Sequence, residues 1–123
     1  MRLQVVPGRY AISRLDAEAD LPSWPRGLFV SITRTDAELS IVCDEASVPG
    51  HVKAERGWRC LRAHGPIPFE TTGVAASLTS PLAAAAISIL LVSTFDTDYL
   101  LVKDSTFELA CNALRAVGHE VGL

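Results

Sequence analysis

The chain has 123 residues, enough for one domain or for two small units sharing a core, and 49% of them are hydrophobic against 20% charged. That balance excludes a disordered chain, and the net charge of −3, spread over scattered acids and bases with no Lys or Arg run, argues against a nucleic-acid partner. Cys43, Cys60 and Cys111 are odd in number and widely spaced, which fits neither a disulfide framework nor a metal site and points to reduced thiols in the cytoplasm.

The opening run to Gly8 is apolar but too short and too soon broken by Pro7 to be read as a signal peptide. The first expected strand covers residues 10–15. A short helix is expected somewhere in residues 19–25, followed by strands at 29–33 and 38–44. Trp24 sits in the compact Pro22-Ser-Trp-Pro-Arg-Gly27 stretch, where a large ring serves packing.

The second half begins with a strand at 58–63, which His64-Gly-Pro-Ile-Pro68 ends. Thr71-Thr72-Gly73 opens a helix on which Val74, Leu78, Leu82 and Ala85 recur at helical spacing. Pro81 is expected to kink this helix rather than end it, because the alanine run resumes behind it. Strands at 87–93 and 98–103 follow, apolar on both faces and therefore covered on both or placed at a subunit contact. Ser105-Thr-Phe-Glu108 has the capping-box pattern, and Phe107, Ala110, Ala113, Leu114 and Val117 give the second helix its apolar face, with Gly118 as its stop. Residues 119–121 suit a last short strand. From 71 to 95 no residue is charged, a length that could span a bilayer. The Ser, Thr and Gly content, Pro81 and the change of apolar period near Ala86 instead indicate a helix followed by a buried strand.

The order β-α-β-β-α-β is the ferredoxin-like split unit. The first half reads as a shortened copy of it. Offset by about 60 residues, Glu38-Leu-Ser-Ile-Val-Cys-Asp44 lies on Asp98-Tyr-Leu-Leu-Val-Lys-Asp104, which suggests paired units that share a core. The fold expected is α+β: two ferredoxin-like βαββαβ units, residues 1–57 (shortened and degenerate) and 58–123 (complete), with antiparallel sheets packed by helices.

Through nearly its whole length the chain resembles the paired ACT-domain proteins of bacteria, relatives of the cytosolic arginine sensors of animals. The resemblance is carried by Pro7-Gly-Arg-Tyr-Ala11, Ser31-Ile-Thr-Arg-Thr-Asp36, Lys53-Ala-Glu-Arg-Gly-Trp58, Gly73-Val-Ala-Ala-Ser77 and Ser93-Thr-Phe-Asp-Thr-Asp-Tyr99. It implies paired ACT units that bind small molecules, usually amino acids, at an interface between units or subunits. In the arginine sensors a Thr-Phe-x-x-Asp hairpin and the Gly-led start of a neighbouring helix form the pocket. Carried over, these residues are Thr94, Phe95 and Asp98, with Gly73 and its neighbours Thr72 and Val74. Where the arginine sensors have an acid one turn into the helix, this chain has Ala76, so the resemblance does not imply arginine as the ligand.

These residue types suit a free amino acid. Asp98 can accept from its ammonium, and the helix start after Gly73 offers unpaired N–H groups to its carboxylate. Phe95 can form an apolar wall, and Thr71, Thr72 and Thr94 bring hydroxyls. Asp96 and Thr97 are ordinary turn residues, Asp96 being expected to bond its own turn backbone. Asp98 begins an apolar strand that disfavours it, which singles it out.

Catalytic constellations are not evident. His51, His64 and His119 lie far apart without a carboxylate or thiol at ligand spacing, so no metal or cofactor is expected. Cys43 and Cys111 read as small buried apolar residues. No GxGxxG, GxxxxGK or GxSxG pattern occurs. The function expected is a non-enzymatic amino-acid-binding sensor or regulatory module, a homo-oligomer (dimer) of the cytoplasm without nucleic-acid or membrane partners. The alternative is an interaction or oligomerisation module with a vestigial pocket.

Overall fold

The structure, a computed structural model, describes residues 1–122. Nine regular elements follow in order: β1 (Arg2–Leu15), β2 (Ser31–Arg34), β3 (Leu39–Asp44), β4 (Lys53–Ala63), α1 (Val74–Ala84), β5 (Ile89–Ser93), β6 (Asp98–Lys103), α2 (Phe107–Ala116) and β7 (Glu120–Gly122). The chain forms two compact units, one of Pro7–Trp58 and the other of Met1–Val6 with the chain from Arg59 onward. The long strands β1 and β4 supply residues to both.

In the Pro7–Trp58 unit, β2, β3 and β1 are antiparallel neighbours, with Ser31 opposite Val42 and Leu15 opposite Leu39. Ala11, Leu39, Ile41 and Cys43 are fully buried there, with Trp24 packed against them. The helix expected within residues 19–25 is absent, and the segment between β1 and β2 is irregular. Pro22 and Pro25 explain this, since each removes a backbone N–H and pushes the preceding residue out of the helical region. The segment is held instead by Arg34, whose guanidinium donates to the carbonyls of Ala17 and Ala19.

The other unit follows the expected β-α-β-β-α-β order from β4 to β7. In space its strands run β7-β1-β4-β6-β5. The N-terminal residues of β1 thus lie between β7 and β4, and Arg2–Gln4 pair in parallel with Glu120–Gly122. This departs from the all-antiparallel sheet and from a first strand beginning at residue 10. Leu3, 2% exposed, is the reason: it packs in one cluster with Leu61, Leu78 and Leu114.

α1 buries Leu78 and Leu82 and runs past Pro81 to Ala84. Ala85, expected on its apolar face, is the exposed C-cap. α2 buries Phe107, Ala110, Cys111 and Leu114, whereas Val117, expected on that face, is 60% exposed. The expected capping box does not form. A short 3-10 turn, Asp104–Thr106, precedes α2, whose N-cap is Thr106 without a side-chain capping bond. Gly118 (φ 99°) follows the last turn, as expected for the stop. β5 and β6 form a hairpin in register from Ile89–Val102 to Ser93–Asp98. No helix among the described residues is long and apolar enough to cross a membrane.

Candidate functional site

The β5–β6 turn is closed by threonines. Thr94 N donates to Thr97 O (2.8 Å), and the Thr94 hydroxyl both donates to Thr97 O (3.0 Å) and accepts from Thr97 N (3.3 Å). The expected closure by the Asp96 side chain is therefore supplied by Thr94. Thr97 is also no ordinary turn residue: it is 9% exposed, and its hydroxyl donates to Ala63 O at 2.7 Å, fastening the turn to the end of β4.

The chain leaving β4 then lies on this turn. Ile67 N donates to Asp96 O (2.7 Å). A Cβ at Gly65 would come within 3.0 Å of Asp96 O and 3.1 Å of the Thr97 Cβ, so the two segments can approach this closely only with glycine there. The Gly65–Pro66 peptide is cis. This path carries Phe69 to Phe95, with ring centroids 4.9 Å apart at 87°, the edge-to-face geometry that aromatic pairs prefer. Both rings remain largely in solvent, Phe69 71% and Phe95 80% exposed.

Between hairpin, loop and helix start lies a cavity of ≈ 180 Å³. Its polar lining is Thr71, Ser93, Thr94, Thr97 and Asp98, and its apolar lining includes Ile67, Val74 and the two phenylalanines. Asp98 is half-buried, and its Oδ1 accepts a hydrogen bond from Ser93 Oγ. No cationic side chain lines the cavity. Gly73, the N-cap of α1 at φ 78°, takes a left-handed conformation that a side chain would strain. With no side-chain cap there, the first N–H groups of α1 keep no intrahelical partner.

Of the residues singled out from sequence, Thr71, Val74, Thr94, Phe95 and Asp98 come together around this cavity. Thr72 and Gly73 are exposed at the helix start but do not line it. Sequence reasoning missed Ile67, Pro68, Phe69 and Ser93. Phe69 left a signal, a lone large apolar residue between Pro68 and Glu70 in a loop. A larger concavity of ≈ 390 Å³ lies on the strands around Arg2, Gln4, Arg62 and Glu120. There Arg2 and Glu120 form an exposed ion pair at 3.6 Å, and Arg62 donates to Gln4 Oε1 at 3.3 Å.

All three cysteines are free and buried. Burial pushes the Cys60 thiol up to about 12 and raises that of Cys111, so neither presents a thiolate. Among the described residues no group of three or more His, Cys, Asp or Glu could hold a metal ion.

Comparison with known proteins bears on the fold and the family. The regulatory subunit of aspartate kinase from Thermus thermophilus superposes with a TM-score of 0.60 at 9% identity, covering 90% of this chain and 93% of that one. The chain therefore has the mixed α/β fold of such regulatory domains. The ACT domain family model matches residues 53–116, and a second model, describing an N-terminal domain, matches residues 8–51. The chain belongs to the ACT domain family. It is related to the human cytosolic arginine sensor for mTORC1 subunit 1, at 30% identity over 105 residues. That match covers 76% of this chain and 32% of the sensor, so the chain spans about a third of its relative. An Agrobacterium tumefaciens protein known from its crystal structure is 44% identical with a TM-score of 0.92, covering 98% of this chain and 90% of that one.

Proposed function

We propose that this chain is a non-enzymatic regulatory protein that binds a free amino acid in the cavity between the β5–β6 turn and the start of α1. The observation that carries the reading is the convergence of Asp98, Thr94, Phe95, Thr71 and Val74 on one small concavity. Asp98 accepts from the ligand's ammonium, and the carboxylate meets the threonine hydroxyls and the free N–H groups of the helix start. Binding joins the hairpin to the loop and α1 and so favours the arrangement in which they are closed together. Its kinship with the arginine sensors, and the fold it shares with kinase regulatory domains, support a regulatory role.

In this reading the chain is a pair of ferredoxin-like ACT units, residues 1–57 and 58–123, the first shortened and lending its opening strand to the second. The protein works as a homodimer in the cytoplasm, a location that three free thiols favour. Asp98→Ala is the direct test. In thermal-shift titrations with the twenty amino acids the wild type should gain stability with at least one, and the variant, folded by circular dichroism, should gain none. If the variant keeps the wild-type shift, the site is wrongly placed.

One observation favours a second reading, an interaction module. β5 ends the strand order of its unit, and Ile89, Leu90, Leu91 and Val92 are all half-buried rather than buried. An apolar end strand with unpaired backbone groups is suited to pairing with another chain. No stabilisation by any amino acid at millimolar concentration would favour this reading.

A further inference from the structure

We infer that the ligand is an amino acid with an uncharged, apolar side chain of branched or aromatic kind, and that Phe69 and Phe95 select it. This rests on the reading of the cavity as an amino-acid site. Three observations carry it.

The first is charge. Asp98 is the one acidic side chain in the lining, and no Lys or Arg faces it there. One carboxylate neutralises one ammonium. A lysine or arginine side chain would bring a second positive charge with no second acid in the lining to meet it, since Glu70 and Asp96 are exposed beside the lining rather than part of it and Ala75 and Ala76 on the first turn of α1 supply none. A glutamate or aspartate side chain would bring a second negative charge into a lining without a cation.

The second is the aromatic pair. Two phenyl rings at 87° make a corner, and at 71% and 80% exposure that corner stands open to water. Covering both rings with a hydrocarbon side chain is worth about tenfold or more in affinity. A guanidinium over such exposed rings gains about fivefold at most, which does not offset the missing acid. The third is size. A cavity of ≈ 180 Å³ is of the order that holds one benzene-sized group, about 150 Å³, and falls below the range of larger ligand pockets.

The test is calorimetric titration of the full chain with leucine, phenylalanine, arginine and glutamate, repeated on Phe69→Ala, Phe95→Ala and Asp98→Ala. The expected result is that leucine or phenylalanine binds at least tenfold more tightly than arginine or glutamate. Phe69→Ala should lower that affinity about tenfold, and Asp98→Ala should abolish binding. Both phenylalanines are exposed, so their variants fold. If arginine or glutamate binds as tightly as the apolar pair, or if Phe69→Ala leaves leucine and phenylalanine binding unchanged, the selectivity is overturned while the amino-acid site stands. If no amino acid binds the wild type, the site itself is wrong and the selectivity falls with it.

Discussion

Asp96 and Thr97 stand side by side in the β5–β6 turn, and sequence alone gives them the same ordinary turn role. Their surroundings separate them. The Thr97 hydroxyl is buried and donates to the Ala63 carbonyl at 2.7 Å, whereas the Asp96 side chain is exposed and only its carbonyl is used, by Ile67 N. Thr97→Val keeps the shape but leaves a buried carbonyl without its donor, a loss of about 1–3 kcal/mol. Asp96→Ala removes a solvated group and should change stability by less than about 0.5 kcal/mol. Urea denaturation of the two variants measures the contrast, and equal effects would contradict the anchoring role of Thr97. The candidate site was legible at this scale where one residue type announced itself. An acid opening the apolar strand Asp98-Tyr-Leu-Leu-Val pointed to Asp98. Phe69 stood out only as a large apolar residue in a loop, and its pairing was not legible because its partner Phe95 is a neighbour in space and not in sequence.

The hairpin, α1 and α2 are legible as elements because their patterns are local. Apolar runs bracket a turn, and Leu78 with Leu82, and Phe107, Ala110 and Leu114, recur at helical spacing. Two elements were misread for opposite reasons. The helix expected within residues 19–25 was inferred from an analogy between halves that Pro22 and Pro25 defeat. The opening residues of β1 were passed over because Pro7-Gly8 breaks the apolar run early and leaves it too short to stand out as a strand. Their partner, β7, lies at the other end of the described chain, so no local pattern could reveal it. Leu3 makes the difference measurable. It is 2% exposed in the cluster with Leu61, Leu78 and Leu114, so Leu3→Ala should cost about 2–5 kcal/mol. A residue in an unstructured leader would cost nothing, and a denaturation midpoint unchanged from the wild type would show that these residues are not part of the core.

At the scale of the whole molecule, the net charge of −3 is small and scattered, and burial of Cys60 and Cys111 contributes to the response to alkali. Desolvation in the interior pushes the Cys60 thiol from its ordinary value of 9.0 up to about 12. In the unfolded chain that thiol ionises near 9, while in the folded chain it keeps its proton. The sign follows from proton linkage. Between these two values the unfolded state binds fewer protons, so the stabilisation is complete below about pH 9 and is lost as pH rises toward 12. The slope is about 1.4 kcal/mol per pH unit for one thiol, and Cys111, also raised by burial, adds in the same direction. Urea melts at pH 7, 9 and 10.5 should therefore show little change over the first interval and a fall of about 2 kcal/mol or more over the second. Cys60→Ala leaves a small void and should be less stable at pH 7, yet it should lose about 2 kcal/mol less than the wild type between pH 9 and 10.5. If both proteins weaken equally over that interval, the alkaline loss arises elsewhere and Cys60 is not the group that the fold holds neutral.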